Sequence, residues 1–209
     1  MSRRLQSPHS AWARVFKRAL DLLLAVPTCL ALAPLFALTA IAIKLDSPGP
    51  VLFAQKRWGR NREHFTMLKF RSLRHGAGDP HERYEMLEHD SRITRVGAFI
   101  RRTSIDELPQ LFNVVAGSMS LVGPRPLVDW ESLEADKTHG ERYRVKPGIT
   151  GWSQVTVRNA ADFHGRLDKD VEYVQRCSPA FDLWILLLTP WTVLRSKGIY
   201  PEAVEHRRG

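Results

Sequence analysis

Residues 17–46 read KRALDLLLAVPTCLALAPLFALTAIAIKLD, and the uncharged run from Leu22 to Ile43 within them decides the fold. These 22 residues, bracketed by Asp21 and Lys44, make a helix of about 33 Å, enough to cross a hydrocarbon core of roughly 30 Å. A cleaved signal peptide fits poorly, because the run is long and no small-residue cleavage pattern ends it. A buried soluble helix rarely goes so far without a charged position. Membrane insertion is therefore the expectation. Arg3, Arg4, Arg14, Lys17 and Arg18 precede the run, and Lys44, Lys56, Arg57, Arg60 and Arg62 follow it. A straight span and a re-entrant hairpin both suit the length. Positive charge on both flanks favours the hairpin, since it keeps both flanks cytoplasmic. Pro34, near the middle, supplies the kink, and Pro27 is a second weak point.

The chain around this run has 209 residues, 44% of them hydrophobic, enough for one packed domain or a domain with an appendage. Its formal net charge of +9 asks for a negative partner: nucleic acid, an anionic membrane surface or a phosphorylated substrate. Cys29 and Cys177 lie far apart and make no metal-ligand spacing, which suits free thiols in a reducing setting.

Outward from the run, two β-rich stretches, 51–55 and 65–70, flank a basic linker and predict a hairpin with a longish turn. Residues 74–92 are polar and read as a surface helix and loops. Residues 92–115 read as mainly helical, MSLVGPRPLV as a rigid turn, and 145–159 as a glycine-punctuated loop with a strand. Near the C-terminus, PAFDLWILLLTPWTVLRSKG sets Trp184 and Trp191 among leucines ahead of Arg195 and Lys197. It is broken by Pro190 and too short to span. An interfacial segment and a buried core helix both fit it.

The chemistry centres on RRTSIDELPQ, residues 101–110, where Asp106 and Glu107 are adjacent. One account is structural: Ser104 and Glu107 fit a capping box, and acids in a first turn complement the helix dipole. Pro109 strains that account, because it falls just past the first turn. If the helix begins nearer Leu108, the acids sit at its mouth beside Arg101 and Arg102, a place suited to phosphate. There an ionised carboxylate can attack a phosphoryl centre, and a second can hold Mg²⁺ together with substrate phosphates. The residues alone permit either account.

The runs FKRALDLLLA, IKLDSPGPVLFAQ, FTMLKFRSL, RITRVGAFIRRTSIDELPQLFNVVAGSMSLVGPRPL and VKPGITGWSQV together resemble the bacterial sugar transferases, the monotopic phosphoglycosyl transferases that act on polyprenol phosphate. The resemblance runs from residue 16 to residue 194 and is to the minimal, catalytic-domain form. It implies that Asp106 attacks the β-phosphorus of a UDP-sugar, expels UMP and holds the sugar phosphate until polyprenol (undecaprenyl) phosphate accepts it. It implies that Glu107 places Mg²⁺ or assists proton transfer, and that Arg101 and Arg125, the latter in Pro124-Arg125-Pro126, contact phosphate. Lys69 and Arg71 are further candidates, since a diphosphate must be neutralised by cations. Two departures stand out. The family's Ser-Pro break is Ala33-Pro34 here, and its Asn-Gly-Arg-Asn loop is Thr156-Val157-Arg158-Asn159, which puts Val157 where a glycine permits positive φ or close approach. Arg158 and Asn159 remain binding candidates.

The predicted fold is accordingly α+β: mostly helical, with a small β-hairpin, an N-terminal re-entrant membrane helix hairpin and interfacial amphipathic helices. Residues 1–45 form the basic segment and membrane helix, and 46–209 the catalytic domain, on the cytosolic face of the bacterial inner membrane. The expected partners are a UDP-sugar, polyprenol phosphate and membrane lipid, with Mg²⁺ as cofactor and a homodimer possible. Nucleic acid is not expected, because no DNA- or RNA-binding signature accompanies the charge.

Overall fold

A computed structural model of the chain describes residues 11–76, 91–157 and 162–194. The apolar run becomes two helices, α1 (Ala11–Ala31) and α2 (Ala33–Asp46), bent by 58° at Leu32. Pro34 explains the position of the bend. It has no N–H for the carbonyl four residues back, and its ring crowds that carbonyl, so the helix breaks at Leu32, two residues earlier, and restarts with the proline in its first turn, where the N–H is not needed. The ladder is otherwise kept: Leu32 N–H donates to the Thr28 carbonyl and Phe36 N–H to that of Leu32, both at 2.9 Å. Pro27, the other expected weak point, lies inside α1 without breaking it. Among the described residues no single helix is long and apolar enough to cross a membrane, whereas the bent pair is so by length and composition.

The pair is two-faced. Leu23, Leu30, Leu38 and Leu45 stand out into the surroundings, while Ala25, Thr39 and Ile43 are buried against the rest of the chain. The polar start of α1 is tied down as well. Lys17 Nζ pairs with Asp182 at 2.6 Å, Arg18 donates to the carbonyls of Val114 and Val115, and Asp21 accepts from Ser120 Oγ and Leu121 N–H.

The predicted hairpin forms from β1 (Leu52–Trp58) and β2 (His64–Phe70), antiparallel, with Leu52 opposite Phe70 and Trp58 opposite His64. Its strands run further toward the tip than their β-branched and aromatic content indicates, and the turn is a tight 3₁₀ turn, Arg60–Arg62. Then come α3 (Arg95–Arg102), a single 3₁₀ turn (Ile105–Glu107) and α4 (Gln110–Ala116). Phe70, Ile43 and Ile100 pack together, as do Met67, Ala25, Leu111, Val114 and Met119, so the hairpin, α4 and the α1–α2 pair share a core.

The rigid turn expected at MSLVGPRPLV opens with a strand. β3 (Ser120–Val122) pairs in parallel with β4 (Gly148–Thr150). Glycine is required here, because a Cβ on Gly148 would lie 2.1 Å from the Gly123 nitrogen. The chain continues as α5 (Asp129–His139), α6 (Trp152–Thr156), α7 (Phe163–Arg176) and α8 (Pro179–Leu194). Pro190 does not break α8. The core reading holds on one face of this segment, where Phe181 and Ile185 enter a core with Val122, Tyr173 and Val174; on the other face Trp184, Leu187 and Trp191 are exposed. Most of the surface segment expected at 74–92 lies outside the described residues.

Candidate active site

Ser104 prepares the site. It adopts a left-handed conformation, φ 58°, which costs a non-glycine residue of order 1 kcal/mol and turns the chain sharply after α3. Its side chain makes no capping bond, so the capping-box account of the two acids does not hold. The 3₁₀ turn then presents Asp106 and Glu107 ahead of α4, which starts only at Gln110.

The two carboxylates are treated differently. Glu107 Oε1 accepts from Lys69 Nζ at 2.9 Å and from Arg125 Nη2 at 3.1 Å. Burial alone would raise its pKa, but those charges and hydrogen bonds outweigh it and hold the carboxyl well below the usual range. Asp106 takes part in none of the ion pairs among the described residues. Burial pushes its pKa up to about 6; the Glu107 charge adds to the rise, and Lys69, Arg101 and Arg125 oppose it. Arg101 thus acts on Asp106 through its field. The pKa of Arg125 is raised, chiefly by Glu107.

Arg125 is aimed from behind. Arg142 Nη2 donates to the Arg125 carbonyl at 2.5 Å and pairs with buried Asp170 at 2.8 Å, and Ser153 Oγ donates to Asp170 at 2.7 Å. Arg57 Nη1 donates to the Pro126 carbonyl at 3.1 Å. Together these bonds fix the Pro124–Pro126 turn on both sides. Beside the dyad a narrow cleft is lined by Arg57, Lys69, Gln110, Arg125, Pro126 and Gly148 among others, so three cations face it. Burial, and then Arg125, pushes the Arg57 pKa down to about 10.

Of the residues singled out in the sequence, Asp106, Glu107, Lys69, Arg101 and Arg125 come together. Arg71 is turned away. It is 5% exposed, and its guanidinium donates to the carbonyls of Ser47 and Pro48 and to Ser47 Oγ, closing the end of α2. Its role here is to hold that helix end. Arg158 and Asn159 lie outside the described residues. Val157 has φ −113°, open to any residue, so the backbone here needs no glycine. Arg57, Arg142 and Asp170 were not singled out. Asp170 had a visible signal: it sits on the buried stripe of α7 with Leu167, Tyr173 and Val174, where an acid must have a partner.

A family model described as bacterial sugar transferase matches residues 12–196. The chain belongs to the bacterial sugar transferase family. It is 46% identical over 193 residues to an undecaprenyl-phosphate glucose phosphotransferase of Komagataeibacter xylinus, covering 87% of this chain and 36% of that protein. It is 41% identical over 196 residues to a UDP-glucose:undecaprenyl-phosphate glucose-1-phosphate transferase of Xanthomonas campestris pv. campestris, covering 89% and 40%. With an uncharacterized sugar transferase, EpsL, of Bacillus subtilis (strain 168), identity is 42% over 188 residues, covering 88% and 90%. The chain thus spans about two fifths of the first two relatives and most of the third.

Family membership gives the dyad a context. Fixed cations around the two carboxylates, Lys69, Arg101 and Arg125, suit an anionic ligand there. Among the described residues no group of three or more His, Cys, Asp or Glu gathers to hold a metal. The dyad still suits Mg²⁺, which takes one or two carboxylates and completes its shell with water and substrate phosphates. Both cations on Glu107 bond to the same oxygen, so Oε2 is left for such a role.

Proposed function

We propose that this chain is a phosphoglycosyl transferase that moves a sugar 1-phosphate from a UDP-sugar to polyprenol phosphate through an aspartyl-phosphosugar intermediate. The observation that carries the reading is the unequal treatment of two adjacent carboxylates. Glu107 is neutralised by Lys69 and Arg125, whereas Asp106 keeps an unpaired and unusually basic carboxylate beside the same cations. A basic, desolvated oxygen next to fixed positive charge is what attack on a phosphoryl group requires.

In the first step an Asp106 oxygen bonds to the β-phosphorus, the bond from that phosphorus to the bridging oxygen breaks, and UMP leaves with the electron pair. Arg125 and Lys69 stabilise the charge that develops on the phosphoryl oxygens and the leaving group, and Arg101 adds its field. In the second step a phosphate oxygen of polyprenol phosphate bonds to the same phosphorus, and the Asp106 carboxylate leaves, yielding the polyprenyl diphosphate sugar. Arg142, Asp170 and Arg57 keep the Arg125 turn in place for both steps. Mg²⁺, held by Glu107 and the substrate diphosphate, supplies further charge neutralisation when bound.

The bent α1–α2 pair, with its apolar outer face, enters the membrane from one side and returns. The exposed Trp184 and Trp191 of α8 lie at the same interface, so the dyad stands where a lipid-borne phosphate emerges. The inner membrane, cytosolic face, is the corresponding location. To test the reaction, nanodisc-held protein is mixed with Mg²⁺ and a panel of UDP-sugars, starting with UDP-glucose, without acceptor lipid. A burst of UMP stoichiometric with enzyme, absent in Asp106→Asn, is expected; an equal burst in the variant rules out the assigned nucleophile.

A further inference from the structure

Two amide side chains stand one turn apart on the buried side of α4, and the chain uses them differently. Asn113, 6% exposed, is bonded at both ends inside the fold. Its Nδ2 donates to the Thr66 carbonyl at 2.7 Å and its Oδ1 accepts from Leu68 N–H at 2.9 Å, which pins α4 to β2. Gln110 is more deeply buried, at 3% exposed, yet among the described residues its carboxamide has no hydrogen bond. It lines the narrow cleft beside the dyad together with Arg57, Lys69 and Arg125. An amide withdrawn from water without a partner costs free energy that a ligand's polar group can offset.

The donors and acceptors around the cleft say what that group is. Arg57, Lys69 and Arg125 only donate, so they suit phosphate oxygens, which only accept. Among the described residues that line the cleft, Gln110 has the one neutral side chain that both donates and accepts. An ionised phosphate would satisfy its N–H groups and leave its oxygen orphaned, whereas a hydroxyl meets either end. Position favours a hydroxyl of the sugar over one of the ribose. Lys69 and Arg125 hold Glu107, next to Asp106, and Gln110 follows Glu107 by three residues with the same two cations around it. The group attached to the reacting phosphorus is the sugar; the ribose and base lie a second phosphate further away.

We propose that the Gln110 carboxamide hydrogen-bonds a hydroxyl of the transferred sugar and so helps decide which UDP-sugar is accepted. The inference rests on the phosphoglycosyl reading above and assigns the residue that reads the uncharged part of the donor. A sugar lacking that hydroxyl leaves the buried amide unpaired, and the site rejects it for that reason.

Binding to Asp106→Asn, which cannot form the intermediate, tests this apart from the chemistry. The full chain in nanodiscs with Mg²⁺ is titrated calorimetrically with UDP-glucose, UDP-galactose and their N-acetylated 2-amino counterparts, and the tightest binder is compared with its monodeoxy forms. One monodeoxy form is expected to bind about tenfold more weakly than its parent, the size of one hydrogen bond. When Gln110→Met is added to Asp106→Asn, the parent sugar should lose the same factor and the deoxy form nothing further. Equal parent-to-deoxy ratios in the two proteins overturn the proposal. An equal loss of affinity for UMP also overturns it, because the amide would then belong to the nucleotide. Since the amide makes no bond inside the fold, Gln110→Met should melt no lower than the protein it is made in. A fall of several degrees in both Gln110→Met and Gln110→Leu would make the residue structural and overturn the proposal too. If none of the four UDP-sugars binds, the phosphoglycosyl reading fails and takes this proposal with it.

Discussion

Asp170 and Asp106 are both carboxylates withdrawn from water, one in the framework behind the Arg125 turn and one at its front, and the chain supplies them very differently. Asp170 receives Arg142 and Ser153, and Asp182 receives Lys17 and Tyr173. Asp106 receives no such partner, although Lys69 and Arg125 stand close enough to bond its neighbour. Framework acids are saturated because an unpaired buried charge unfolds a protein. The acid at the front is left without a partner, its pKa raised by burial to about 6. On the proposed mechanism the difference separates the groups that hold shape from the one that exchanges bonds.

Four measurements on three substitutions probe this contrast, in descending order of expected effect. Asp106→Asn removes the reacting oxygen's charge and should lower transfer by on the order of 10⁴-fold while the protein stays folded, as steady-state rates and circular dichroism will show. Arg142→Met leaves Asp170 buried and unpaired, and should cost about 3–5 kcal/mol in denaturant unfolding. Activity should then fall only through loss of folded protein and of Arg125 aim. Glu107→Gln keeps the shape but loses the charge that gathers Lys69 and Arg125, and about 10²-fold in kcat is expected with the fold intact.

The smallest effect concerns pH. The folded-state pKa of Asp106 lies above its ordinary value of 3.8, so its charge opposes folding above about pH 6. As pH falls from there toward 3.8, the folded chain takes up a proton that the unfolded chain does not, and the penalty fades. In metal-free buffer Asp106→Asn should therefore melt a few degrees higher than wild type at pH 7.5, with the gap closing by pH 4.5. A gap that widens on acidification would mean that the carboxylate is paired and stabilising.

Much of this was legible beforehand, for reasons that differ by region. The uncharged run and Pro34 announced a bent apolar element, because charge and a missing N–H act locally. The hairpin followed from β-rich runs around a polar linker. The dyad and Arg125 came through the family motifs; spacing alone left both capping and catalysis open until Ser104 proved to make no capping bond. What stayed hidden depends on contacts distant in sequence. β3 and β4 are three residues each, too short to alternate, and are paired by a close Gly123–Gly148 approach that no local pattern encodes. Arg71 reads like Lys69 in KFRS, and residues two apart in a strand share a face, but β2 ends at Phe70 and the chain beyond it carries the Arg71 guanidinium to the end of α2, so only Lys69 reaches the dyad. Pro190 looked like a stop but is accommodated inside α8, where packing of Phe181 and Ile185 keeps the helix going.

The most direct measurement is the intact mass of the protein, quenched in acid after incubation with Mg²⁺ and its UDP-sugar in the absence of lipid acceptor. The account predicts a population heavier by one sugar phosphate, with the addition mapping to the peptide that contains Asp106 and disappearing on addition of polyprenol phosphate. An unchanged mass, with UMP formed only once the lipid is present, would contradict it.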